Sequence, residues 1–166
     1  MAPISTKRFY ILLFAAIGWM VFIFYKSAES YQEQSLKPFL NDMLSTAEIT
    51  KWIPHWEFSY MGSLVSWKDP QGLLEFFVRK GAHIFEYLVL SMLWTYGLLA
   101  KQWKLNMALL TSSLISILYA ASDEWHQTWV PGRTGHAIDV GVDAIGVLLM
   151  LIWFLLIRRL IGRLQK

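Results

Sequence analysis

The chain has 166 residues, of which 55% are hydrophobic and only 16% charged, and it contains no cysteine. With a positive mean hydropathy, this composition excludes an ordinary soluble domain and predicts a single membrane-embedded unit over residues 1–166; the absence of cysteine excludes disulfides, thiol nucleophiles and thiolate metal sites. The net charge of +3 is spread as a topology signal rather than gathered as a nucleic-acid patch, so no nucleic acid partner is expected.

Four segments are expected to span the bilayer: 9–25, about 81–100, 105–122 and about 138–157. Lys7 and Arg8 precede the first, and Ala28-Glu29-Ser30 has small residues at cleavage-like spacing, which is also how a signal peptide reads. Its 17 apolar residues exceed an ordinary signal core, so the expectation is an uncleaved anchor.

The stretch 26–75 is too long for a simple connection. After Ser35, a good N-cap, Leu36, Phe39, Leu40, Met43 and Leu44 recur at helical spacing and predict a short amphipathic helix. Trp52, Trp56, Phe58, Tyr60 and Trp67 follow, the residue types that sit at headgroup level, with Pro54 and Pro70 as breakers. The loop is expected to lie on the membrane surface as a cap over the helix ends or as a lid on a substrate site.

The second span has a charge-free run of only 13 residues, Tyr87 to Leu99, against the roughly 20 that a spanning helix needs. It must extend back over Glu86 and His83 towards Arg79 and Lys80. Arg79, His83 and Glu86 fall at i, i+4 and i+7 on one helical face, with Lys80 and Tyr87 beside it. The third span ends in Asp123-Glu124-Trp125-His126-Gln127, where His126 and Gln127 lie three and four residues beyond Asp123 and Glu124 is expected to point at water. After Pro131-Gly132-Arg133, the fourth span has 14 charge-free residues, Ala144 to Ile157, and must take in Asp139 and Asp143, one turn apart. Gly97, Gly146, Ala82, Ala108, Ala120, Ala121 and Ala144 supply small residues for close helix approach.

Lys7, Arg8, Lys101, Lys104, Arg158, Arg159, Arg163 and Lys166 flank the spans with no acid among them, whereas the long loop carries four Lys against seven acids. The positive-inside rule puts both termini in the cytoplasm. The expected fold class is therefore all-α: a polytopic protein of the cytoplasmic membrane with four transmembrane helices, N-in and C-in, and a structured outer loop with short interfacial helices. Every ionisable group within the spans then lies at its outward-facing end. Such residues cost about 2.5–3.5 kcal/mol each at a helix centre, less near the ends, and mark a functional site by default.

Three kinds of chemistry suit this cluster. Glu86, Asp123, Asp139, Asp143, His83 and His126 can serve acid/base or nucleophilic catalysis. His83, Glu86, Asp123, His126, Asp139 and Asp143 are suitable oxygen and nitrogen ligands for a divalent metal. Arg79, Lys80 and Arg133, with Gln127 and Tyr87, can bind a phosphate or carboxylate. The competing reading is a charge-paired network that only locks the bundle.

Arg79-Lys80-Gly81-Ala82-His83-Ile84-Phe85-Glu86-Tyr87, Ser122-Asp123-Glu124-Trp125-His126-Gln127, Val130-Pro131-Gly132-Arg133 and Asp139-Val140-Gly141-Val142-Asp143-Ala144-Ile145-Gly146 closely resemble the VanZ-like family of bacterial membrane proteins. The family pattern reads K-x-x-H-x-x-E-Y, D-E-x-H-Q, P-G-R and D-x-x-x-[DN]-x-x-G. Phe24-Tyr25-Lys26-Ser27-Ala28 and Gln34-Ser35 are similar to a weaker segment that follows the family's first span. The resemblance implies a cell-envelope membrane protein and an association with reduced susceptibility to the glycopeptide teicoplanin; it implies a fold and a site more firmly than a reaction.

The expected function is action on a lipid-linked envelope component, a phosphate-bearing or peptidoglycan-precursor lipid, by a hydrolase or transferase. The alternatives are a non-catalytic module that captures a lipid headgroup or lipoglycopeptide, and a proton-coupled transporter. Expected partners are membrane lipids or a lipid-linked cell-wall precursor, a lipoglycopeptide ligand and a second copy of the chain.

Overall fold

The structure, a computed structural model, describes residues 6–43 and 45–164. Leu44 of the loop helix and Lys166 of the charge pattern lie outside the described residues. In chain order the elements are α1 (Thr6–Ala28), α2 (Lys37–Met43), α3 (Thr46–Trp52), β1 (Glu57–Tyr60), β2 (Ser63–Ser66), α4 (Pro70–Ala100), α5 (Leu105–Gln127) and α6 (Ala137–Leu164). Helices α1, α4, α5 and α6 are each long and apolar enough to cross a membrane. The protein is an all-α, multi-pass membrane protein, as the hydrophobic pattern predicts.

Helix α4 begins well before the expected span. Asp69 caps it by accepting the Gly72 N–H at 3.1 Å, and Pro70 occupies the first turn, where its missing N–H costs nothing. Its 31 residues rise about 46 Å, well over the roughly 30 Å hydrocarbon thickness. The first turns, through Glu75 to Lys80, therefore form a stem at the same end of the bundle as the long loop.

On that stem rests a small layer in which the short helices are expected from the sequence and the two strands are not. The predicted loop helix is present as α2, with no side chain buried. Helix α3 starts from a capping box in which Ser45 and Glu48 satisfy each other's backbone N–H. Strands β1 and β2 pair antiparallel, Glu57 opposite Ser66 and Tyr60 opposite Ser63. The two residues between them, Met61 (φ 52°) and Gly62 (φ 82°), are both left-handed, as a two-residue type I′ hairpin requires. Phe58 and Tyr60 of β1 meet Phe76 of α4 edge-on, at ring separations of 5.6 and 5.0 Å.

Helix α4 is the centre of the bundle and packs most extensively on α6. The core joins Ile23, Tyr87, Leu90, Leu109, Ala120, Val147, Met150 and Phe154. Large apolar side chains such as Phe14, Leu110 and Leu118 point outward, 60% or more exposed, as lipid-facing positions do. Polar ties lock the interior: Trp19 donates to the Glu86 carbonyl at 2.9 Å, Tyr119 to the Met20 carbonyl at 2.5 Å, and Thr95 meets Ser112 at 2.7 Å. Ala108, Ser112, Ser116 and Ala120 form a buried small-residue stripe on α5. At Gly146 helix α6 packs directly on the α4 backbone, since a Cβ there would collide with the Ile84 carbonyl oxygen and the Leu88 nitrogen. Gly97 is not used in this way: a Cβ would meet Leu12 at an ordinary 3.7 Å.

Candidate functional site

The stem of α4, the end of α5, the start of α6 and the turn between α5 and α6 converge around two adjoining cavities of about 310 and 400 Å³. Arg79, His83 and Arg133 line both and form the wall between them. Glu86 and Asp123 face the first; Lys80, Gln127 and Asp139 face the second.

Two carboxylates one turn apart on α6 repel unless each finds its own partner, and here each does. Lys80 Nζ sits 2.5 Å from Asp139 Oδ1, Tyr60 donates to the same oxygen, and the Lys80 ammonium lies 4.7 Å from the Tyr60 ring centre. Asp143, almost fully buried, has Oδ1 3.2 Å from His83 Nδ1, while its Oδ2 has no partner. Asp123 is also buried, with Oδ2 accepting from Gln127 Nε2 at 3.1 Å and Oδ1 unpartnered.

Glu124 does not point at water. It is buried, accepting the His136 N–H at 2.9 Å and Gln127 Nε2 at 3.3 Å. The reason is long-range: the chain after α5 folds back over its end, with Gly135 against the Glu124 carbonyl so tightly that no Cβ fits.

The cations are arranged around a residue that charge alone does not reveal. Gln34 Oε1 accepts from Arg79 Nη2 at 3.2 Å and also from Arg133. Arg79 stacks 4.5 Å from the Tyr31 ring centre and lies 3.7 Å from Glu75, which is buried and accepts from Ser35 at 3.3 Å. Burial, and next the neighbouring Arg79 charge, push the Arg133 guanidinium below its ordinary pKa. Two guanidinium groups thus share one neutral acceptor; Glu75 pairs with Arg79, whereas Arg133 has no carboxylate within ion-pair distance among the described residues and is the one free to take an anion. Gln34 had only the weak Gln34-Ser35 similarity to signal it, and Glu75 only its place one turn before Arg79.

One donor atom from each of His83, Glu124 and Asp143 lies within 4.8 Å of the other two. A nitrogen and two carboxylate oxygens form a set that suits a divalent cation. Glu86, Asp123, His126 and Asp139 are not in this group among the described residues. His126 lies on the flank of α5 nearer α1, its ring 4.3 Å from that of Phe24.

A family model described as VanZ/LLP1 matches residues 12–158, from α1 through most of α6. The chain belongs to the VanZ-like family. No curated protein and no solved structure matches it. The VanZ-like segments now divide by position. Lys80, His83, Glu86, Asp123, Gln127, Arg133 and Asp139 line the two cavities, and Asp143 backs them through His83. Tyr87 lies wholly in the core, its hydroxyl without a partner. Gly146 of the VanZ-like pattern has a physical role: it lets α6 close on α4 three residues beyond Asp143, which sets the His83–Asp143 contact.

Proposed function

We propose that this VanZ-like protein is a membrane-embedded hydrolase or transferase acting on a lipid-linked, phosphate-bearing component of the cell envelope. The observation that carries the reading is the convergence of Arg79 and Arg133 on Gln34, in a cavity that also holds His83, Glu86 and Asp123. A phosphate between the two guanidinium groups relieves their repulsion and offers each a charge-assisted bond. The distribution of Lys and Arg around the spans supports a site on the extracytoplasmic side of the cytoplasmic membrane, with both termini inside.

Within this reading, Arg79 and Arg133 hold the phosphoryl group while Lys80, fixed by Asp139, adds positive charge at the second cavity. His83, held at Nδ1 by Asp143, takes a proton through Nε2 from the attacking water or alcohol. A P–O bond forms to that oxygen, the P–O bond to the leaving group breaks, and the Glu86 carboxyl group protonates the departing oxygen. In the alternative in which His83, Glu124 and Asp143 hold a divalent cation, His83 would be a ligand rather than the base, and the cation would supply Lewis-acid charge at the phosphoryl group.

The test is phosphate release by the purified protein in nanodiscs carrying long-chain lipid monophosphates and diphosphates. Turnover that is lost in Glu86→Gln and Arg133→Ala is the expected result. Binding without turnover would favour the second reading, non-catalytic capture of a headgroup or lipoglycopeptide with an effect on teicoplanin susceptibility. The strongly exposed Trp52 and Trp56 of the loop support that alternative as a surface for a large amphiphile. Neither binding nor release would sink both.

A further inference from the structure

A third cavity, of about 340 Å³, lies between the loop-side ends of α1 and α5, outside the polar site. Its walls are Phe24, Tyr119, Trp125, His126 and Trp129, and Asp123 stands at its back. Asp123 also lines the polar cavity that holds Arg79, Arg133, His83 and Glu86. One buried side chain, with one carboxylate oxygen unpartnered, therefore borders an aromatic groove on one side and the anion site on the other.

We propose that this groove holds the hydrocarbon chain of the lipid whose phosphate is bound by Arg79 and Arg133, the chain entering from the bilayer between α1 and α5. The inference rests on the phosphate-lipid reading above and adds where the apolar part of that substrate lies. Four observations converge on it.

Helices α1 and α5 have the sparsest contact of the packed pairs in the bundle, so this is its weakest lateral seam. The seam is closed deeper in the bundle by the Tyr119 hydroxyl bonding to the Met20 carbonyl, which gives the groove a floor one turn below Asp123. At its mouth Trp125 and Trp129 meet edge-on at 5.0 Å and are both strongly exposed, the placement that tryptophan takes at a membrane interface. Finally, the groove carries almost no polar lining apart from its back: the Ser122 hydroxyl is spent on the Tyr119 carbonyl at 2.7 Å, and the Phe24 ring covers the His126 face. An amphiphile has the same division, a charged head joined at one point to an apolar chain. The groove opens onto a bilayer that supplies such molecules without any passage through water.

Ser122 lines the groove and is exposed there, so Ser122→Trp fills it without entering the core. The probes are a long-chain alkyl phosphate carrying a mid-chain diazirine and the same chain with a neutral hydroxyl head, photolysed in nanodiscs with the full-length protein. The phosphate probe should label Phe24, Trp125 and Trp129 in preference to the rest of the lipid-facing surface. Ser122→Trp should lower that labelling about tenfold, a size typical of filling an apolar subsite. Phe24→Ala, which removes a wall instead of filling the space, should lower the labelling of Trp125 and Trp129 as well and covers the case in which Ser122→Trp misfolds. Labelling spread evenly over the lipid-facing helices, or groove labelling that neither variant reduces, overturns the chain subsite. Groove labelling that both variants reduce but that is equal for the phosphate and hydroxyl probes keeps the subsite and overturns the phosphate reading.

Discussion

Gly146→Ala tests the helix packing that brings the site together, and Gly141→Ala on the same helix is its internal control. A methyl at position 146 would lie closer than 3 Å to both the Ile84 carbonyl oxygen and the Leu88 nitrogen, backbone atoms that cannot swing aside as a side-chain tip can. Helix α6 must then move off α4, and overpacking of this kind costs about 1–3 kcal/mol. At position 141 a methyl meets nothing within 4 Å, so the variant should gain the helical advantage of alanine over glycine, about 0.5–1 kcal/mol. The two changes are chemically identical and five residues apart, yet their effects should have opposite signs. Denaturant unfolding in detergent, followed by helical circular dichroism, reads the difference directly. Because Gly146 lies three residues beyond Asp143, its variant should also weaken the His83–Asp143 contact, visible as a changed His83 imidazole chemical shift. Equal midpoints for the two variants, or a more stable Gly146→Ala, would refute the close approach of α4 and α6.

Glu124→Ala leaves the His136 N–H and a Gln127 donor unpaired and should destabilise by about 1–3 kcal/mol, whereas Glu124→Gln keeps an acceptor and should cost less; equal losses, or unaltered hydrogen exchange at the His136 amide in Glu124→Ala, would contradict that role. The link between α2 and the N-terminus of α4 should depend on pH through the pair Lys37–Asp69, at 2.6 Å. Burial alone would raise the Asp69 carboxyl, but hydrogen bonds from Lys37 and the Gly72 amide outweigh it and hold its pKa below 3.8. The bond to Asp69 in turn raises the Lys37 ammonium above 10.5. The stabilisation is thus complete between these two values, and it is lost as pH falls below 3.8 through the folded value of Asp69 or rises above 10.5 through that of Lys37. As the pair is half-exposed, it is worth about 0.2–1 kcal/mol and should weaken in salt; limited proteolysis of residues 37–43 at about pH 3 should be faster than at about pH 7. The donor set predicts about one divalent cation per chain by elemental analysis after equilibration with Zn²⁺ or Mn²⁺, lost in Asp143→Asn and retained in Asp139→Asn; equal retention by both variants would assign the ion elsewhere.

Much of this architecture is legible in the sequence because the bilayer makes charge expensive. The short apolar runs of the second and fourth spans require Arg79, His83, Glu86, Asp139 and Asp143 to enter the helices, and the 3.6-residue period assigns their faces. What the sequence does not reveal is set by contacts between distant residues. Glu124 adjoins Asp123 and reads as solvent-facing until the return of the chain at Gly135 and His136 buries it. Gln34 reaches Arg133 across 99 positions, with no periodicity to announce it. The hairpin was hidden for another reason: its strands have four residues each, too few for alternation to register, and their aromatic residues also suit a membrane surface. Helix α4 starts early because capping at Asp69-Pro70, not hydropathy, decides its first turn.

The central claim is that Arg79 and Arg133 bind the phosphate of a membrane lipid, and native mass spectrometry of the gently purified protein tests it most directly. A phosphate-bearing lipid should remain bound to the wild-type protein and to a Lys51→Ala control, whose side chain is exposed on α3 outside the cavities, and should be lost when Arg79 and Arg133 are both replaced by alanine. Retention of the same lipid by the doubly substituted protein, still folded by circular dichroism, would contradict it.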